Sequence, residues 1–66
     1  MNRVRLTGVG FLIRGNDEIL VDLAGKTGVT VEADEDLVWV RLEKAAAFGP
    51  GKTRLVRVAR RNVEDL

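Results

Sequence analysis

Short runs in which every second residue is apolar, most often valine, restrict the folding options of this chain more than any other feature. Val4 and Leu6 alternate with Arg3, Arg5 and Thr7, and Ile19, Val21 and Leu23 alternate with Leu20 and Asp22. Val29 and Val31 alternate with Thr30 and Glu32, Val38, Val40 and Leu42 with Trp39 and Arg41, and Val56 and Val58 with Arg57 and Ala59. A strand sends successive side chains to opposite faces, so each run predicts a half-buried strand. Valine supplies ten of the 66 residues, and its branched, stiff side chain suits a pleated surface.

Turn residues separate the runs. Gly15-Asn16-Asp17 lies between Phe11-Leu12-Ile13-Arg14 and Glu18-Ile19-Leu20-Val21 as in a hairpin, and Asp34-Glu35-Asp36 closes a second one. Gly25-Lys26-Thr27-Gly28 links the two. Leu42 to Phe48, with Ala45-Ala46-Ala47, is too short to hold a helix unaided and predicts a long loop with room for one helical turn. Gly49-Pro50-Gly51 breaks the chain before the last long strand. The expected core is Val4, Leu6, Ile19, Val21, Val29, Val31, Val38, Val40, Leu42, Val56, Val58 and Val63.

The length predicts a single domain over residues 1–66. A domain of this size buries only about 60% of the surface its unfolded chain exposes, and its stability margin is roughly 3–5 kcal/mol. The chain has no cysteine, so neither a disulfide nor a thiolate metal site adds to that margin. No apolar run approaches the ~20 residues of a membrane span. The N-terminal Met1-Asn2-Arg3-Val4-Arg5 leads into alternating residues and not into a signal-peptide core. A cytoplasmic location is the expectation.

The order of elements predicts an all-β fold. A strand at about 3–7 precedes a hairpin-like excursion from Gly8 to Gly25, and a meander follows at about 28–33, 37–43 and 53–59. With Val38-Trp39-Val40-Arg41-Leu42 and the ending Asn62-Val63-Glu64-Asp65-Leu66, this pattern resembles the SH3-like small barrels, including their KOW and Tudor-type members. The resemblance implies a five-stranded barrel with a long excursion after strand one, a single C-terminal 3₁₀ turn and a short last strand beside the first. An OB-like barrel is the alternative.

Composition weighs against catalysis by this chain alone. His, Cys, Ser, Gln and Tyr are all missing, which removes the common nucleophiles and the usual proton carrier near neutral pH. A zinc site would need His or Cys. A small barrel also has little room for a walled cleft, so an enzyme would require an oligomer that builds a shared one. The expectation is a non-catalytic binding module without cofactor or metal. Three motif fragments fail on spacing or context. Gly51-Lys52-Thr53 has Ala46 where a phosphate-binding loop needs glycine, and a strand follows instead of a helix. Asp34-Glu35-Asp36 lacks EF-hand spacing. Gly8-Val9-Gly10 reads as a bend or bulge, with no helix to complete a dinucleotide site.

Charge is segregated along the chain. The overall balance is +1, yet residues 15–40 carry a net −6 and residues 41–61 a net +6. Arginine outnumbers lysine 8 to 3, which fits phosphate or carboxylate recognition by the planar guanidinium and equally fits the codon bias of a GC-rich genome. The basic stretch could hold a polyanion, the acidic and basic faces could meet in an assembly or on a protein partner, or the charges could pair within the molecule. Strand phase places Trp39 opposite the core-facing Val38 and Val40, on the face shared by Arg41, Arg57, Leu55 and Ala59. An outward indole beside arginines suits base stacking. The layout resembles that of small archaeal chromatin barrels, which bind DNA across a three-stranded sheet. The competing reading packs Trp39 into a minor core with Phe11, Phe48 or Leu37.

The sequence therefore predicts nucleic-acid binding, DNA or RNA, through Trp39, Arg41, Arg54, Arg57, Arg60 and Arg61. The alternative is a protein-interaction module or accessory subunit that self-associates or docks on a larger partner.

Overall fold

The computed structural model describes residues 2–44 and 54–66. Within these residues the alternating runs form antiparallel strands: β1 (Arg3–Leu6), β2 (Val9–Arg14), β3 (Asp17–Asp22), β4 (Thr27–Ala33), β5 (Leu37–Leu42), β6 (Leu55–Ala59) and β7 (Val63–Asp65). A 3₁₀ turn at Arg60–Asn62 precedes β7, which pairs with β1. The expected order of elements is present. The parts of the 42–48 and 49–51 predictions beyond Lys44 lie outside the described residues.

The described residues do not show the expected five-stranded barrel. The strands form one seven-stranded sheet in the order β3-β2-β6-β5-β4-β1-β7, and that sheet does not close. Both arms of the excursion are strands, which accounts for the two additional ones. Their turn is tight: Arg14 pairs with Asp17 across Gly15 and Asn16. Gly15, at the first central position, has φ +60°, a region open to glycine at little steric cost.

The core lies on one face of this sheet. Val4 and Leu6 of β1, Leu12 of β2, Leu23 after β3, Val38, Val40 and Leu42 of β5, and Val56 and Val58 of β6 are all buried. Val21 and Val63 pack against them half-buried. Fully burying one such side chain stabilises by roughly 1.5–3 kcal/mol, so these nine positions dominate the stability of so small a domain.

Three expected core residues fall outside this cluster. Ile19 has the inward phase, pairing with buried Leu12, but it sits near the hairpin tip beyond the packed region and is exposed. Val29 and Val31 fail for a different reason. In β4 the inward positions are Gly28 and Thr30, which pair with Leu42 and Val40, so the phase is one residue away from that of the valines. Gly28 is buried against β5, and a Cβ there would run into the Arg41 carbonyl oxygen, so the position requires glycine. A register shift between Thr30 and Glu32 then leaves Val31 exposed. A glycine that makes the close approach carries no hydrophobic signal, which is why alternation selected the wrong face of this strand.

A candidate docking surface on the outer sheet face

The opposite face gathers both aromatic residues among those described. Phe11 of β2 and Trp39 of β5 both pair with Arg57 of β6, one from each side. Because Val38, Val40, Val56 and Val58 are buried, alternation sends Trp39 and Arg57 outward. The Arg57 guanidinium carbon stands 5.2 Å from the Phe11 ring centroid and 5.6 Å from that of Trp39. A guanidinium over an aromatic face is attracted by the ring quadrupole, and each contact contributes about 0.5–1 kcal/mol at an exposed site. The indole is half-buried, one of its flanks covered by this arginine.

The same guanidinium reaches β3, two strands away. Arg57 Nη1 lies 2.5 Å from Glu18 Oε1, with the arginine side chain 21% and the glutamate side chain 44% exposed. The central cation of the face is therefore already paired. Around it lie Val9 and Leu20 on the hairpin side and Leu37 on the β5 side, all exposed. Together with Phe11, Arg57 and Arg61 they line a shallow depression of about 200 Å³. Acidic groups share this face: Asp22 pairs with Val9 at the depression, and Glu32 pairs with Trp39.

The predicted basic set is only partly brought together. Arg41 shares the outward phase of Trp39 and is exposed, and Arg61 lines the depression. Arg54, opposite Leu42 at the start of β6, shares the phase of Val56 and so belongs to the other face. Arg60 binds backbone: its Nε–H donates to the Glu35 carbonyl at 2.9 Å, and its Nη2 donates to that of Asp34. It pins the acidic β4–β5 turn. Arg57–Glu18 joins the basic and the acidic stretch, whereas Arg5–Glu64 and Arg3–Glu43 pair the arginines of β1 with acids outside the acidic stretch. Glu43 accepts hydrogen bonds from Arg3 and from the Thr27 hydroxyl, and the first of these does most to hold its carboxyl below the usual glutamate range.

Sequence reasoning placed Trp39 and Arg57 on one face and named Phe11 and Leu37 only in the competing reading, as packing partners of Trp39; it missed Leu20. The signal was available in part: Phe11, Leu20 and Leu37 each break the inward alternation of their own strand, and an apolar residue at an outward position marks a second apolar surface. No family model, curated protein or solved structure matches the chain.

Proposed function

We propose that the chain is a small non-catalytic protein-interaction module that docks a polypeptide partner on the outer face of its sheet. One observation carries this reading. The inner face already forms the core, yet Val9, Phe11, Leu20 and Leu37 remain exposed around the half-buried Trp39 on the other. Apolar and aromatic side chains gathered on a surface with paired charges at their centre have the composition of an interface core. The SH3-like reading of the element order is part of the same proposal. A photo-reactive residue at position 37 tests it in the source cells. It is expected to crosslink a defined protein, whereas the same residue at position 16, in the hairpin turn, does not. Equal crosslinking from both positions, or crosslinks to nucleic acid alone, contradicts the reading.

A second reading keeps nucleic acid as ligand, favoured by the outward placement of Trp39 with Arg41, Arg57 and Arg61. Against it stand the Glu18 partner of Arg57, Asp22 and Glu32 on the same face, and the diversion of Arg54 and Arg60. If those three arginines neutralise three phosphates of duplex DNA, log K falls with log salt at a slope of about −2.7. Titration of labelled DNA and RNA at two salt concentrations separates the two readings, and no binding at low salt removes the second.

A further inference from the structure

The sheet has a free edge at β3, and its chemistry specifies what can pair there. Arg14 and Asp17 flank a two-residue turn, and Leu23 N–H donates to the Gly8 carbonyl at 3.0 Å in the same register. Alternation between these points turns the backbone groups of Asp17, Ile19 and Val21 toward β2. The N–H and C=O groups of Glu18, Leu20 and Asp22 point away from it. Among the described residues no strand lies beyond β3. Such an edge is a template for another strand unless it is blocked; this one has no proline and no register shift against β2, and its charges, Asp17, Glu18 and Asp22, are all acidic, which turns away acidic strands and leaves basic ones. Leu20, at its centre, is 62% exposed.

A second copy of this chain is a poor occupant. Residues facing each other across an antiparallel pair must both point their backbone groups inward or both outward. Two registers then overlap five residues of each β3: one sets Leu20 against Leu20 and Glu18 against Asp22 twice, and the other, centred on Ile19, still brings together two strands that each carry three acids and no base. Like charges directly opposite each other destabilise a sheet. The remaining edge strand, Val63–Asp65, is acidic as well.

Resting on the interaction reading, we infer that β3 accepts an extended basic segment of the partner as an added antiparallel strand. Backbone hydrogen bonds at Glu18, Leu20 and Asp22 would hold it, while alternate side chains give specificity. The segment carries a cation opposite Asp22, a second opposite Glu18, whose carboxylate already meets Arg57, and an apolar residue opposite Leu20. That residue would extend the apolar surface formed by Leu20 and Phe11, which are paired neighbours on the same face.

The probe is the acetylated, amidated peptide Thr-Arg-Thr-Val-Thr-Arg-Thr, titrated into the full chain and followed by amide hydrogen exchange. Binding with protection confined to the amides of Glu18, Leu20 and Asp22 is expected. N-methylation of the peptide's Arg and Val residues, whose N–H groups would face β3, should weaken binding by about tenfold or more. The peptide with both arginines replaced by glutamate should not bind. Absence of binding, equal binding of the glutamate peptide, or indifference to N-methylation overturns the strand-addition inference. Binding that leaves those three amides unprotected but changes Trp39 fluorescence also overturns it, and it leaves the outer-face reading intact. Failure of the position-37 crosslink would instead remove the outer-face reading itself.

Discussion

Arg57 and Trp39 face each other directly across β6 and β5, with the guanidinium carbon 5.6 Å from the ring centroid. The pairing joins the two halves of the outer face, because Arg57 also meets Phe11 on the next strand and Glu18 on β3. Trp39 is the only tryptophan, so the protein's indole fluorescence reports on this face. Arg57→Ala is expected to shift the emission and to cost about 1–2 kcal/mol in urea unfolding, through two lost ring contacts. Glu18→Gln should leave the emission nearly unchanged and cost less than about 1 kcal/mol, since the pair is solvent-screened. An arginine held by its carboxylate and not by the rings would reverse that order.

The core predicts an asymmetry between cross-strand partners. Leu12 and Ile19 pair in the β2–β3 hairpin, yet Leu12 is 1% and Ile19 39% exposed. Leu12→Ala should cost about 2–5 kcal/mol, enough to consume most of a small domain's margin. Ile19→Ala should cost no more than about 1 kcal/mol. Urea midpoints of the two variants check this, and equal losses would place the hairpin tip inside the core.

Gly28→Ala probes the glycine with the least room for a side chain among those described. The added methyl meets the Arg41 carbonyl oxygen and crowds Val40 Cγ1 at 2.8 Å, and backbone on that side cannot move without disturbing the β4–β5 ladder. A loss of about 1–3 kcal/mol is expected. Gly15→Ala meets no neighbouring atom and is disfavoured only by its positive φ, so the same unfolding assay should rank it as the milder change.

Glu43 predicts a pH dependence with a definite sign. Its hydrogen bonds from Arg3 and Thr27 hold the folded carboxyl below the value it has in the unfolded chain. The unfolded state therefore binds the proton more readily, so this contribution is present above about pH 4 and is lost as pH falls through the folded value. Thermal scans between neutral and acid pH should show a smaller acid-side loss in Glu43→Gln than in the parent chain. Identical slopes would mean that this carboxylate is not held as described.

Element order was legible because alternation and turn chemistry act locally. The 3₁₀ turn and the last strand beside the first followed from Asn62-Val63-Glu64-Asp65-Leu66, and β5 from Val38-Trp39-Val40. What the sequence obscured depends on pairing between distant strands. Gly28 reverses the phase of β4 through contact with β5. Arg60 becomes a clamp on the Asp34 and Glu35 carbonyls only once β6 ends beside that turn. The outer face was half legible: Trp39 and Arg57 declared their direction by phase, whereas Phe11 and Leu20 depend on the β2–β3 register.

Crosslinking yield from position 37 in a Leu20→Lys background tests whether the outer apolar surface serves docking and not folding. Leu20 is the most exposed large apolar residue among those described, so its replacement should leave the urea midpoint within about 0.5 kcal/mol of the parent. The account predicts a stable domain whose crosslinked partner is lost or much reduced. Full retention of the partner, or loss of cooperative folding in this variant, would contradict it.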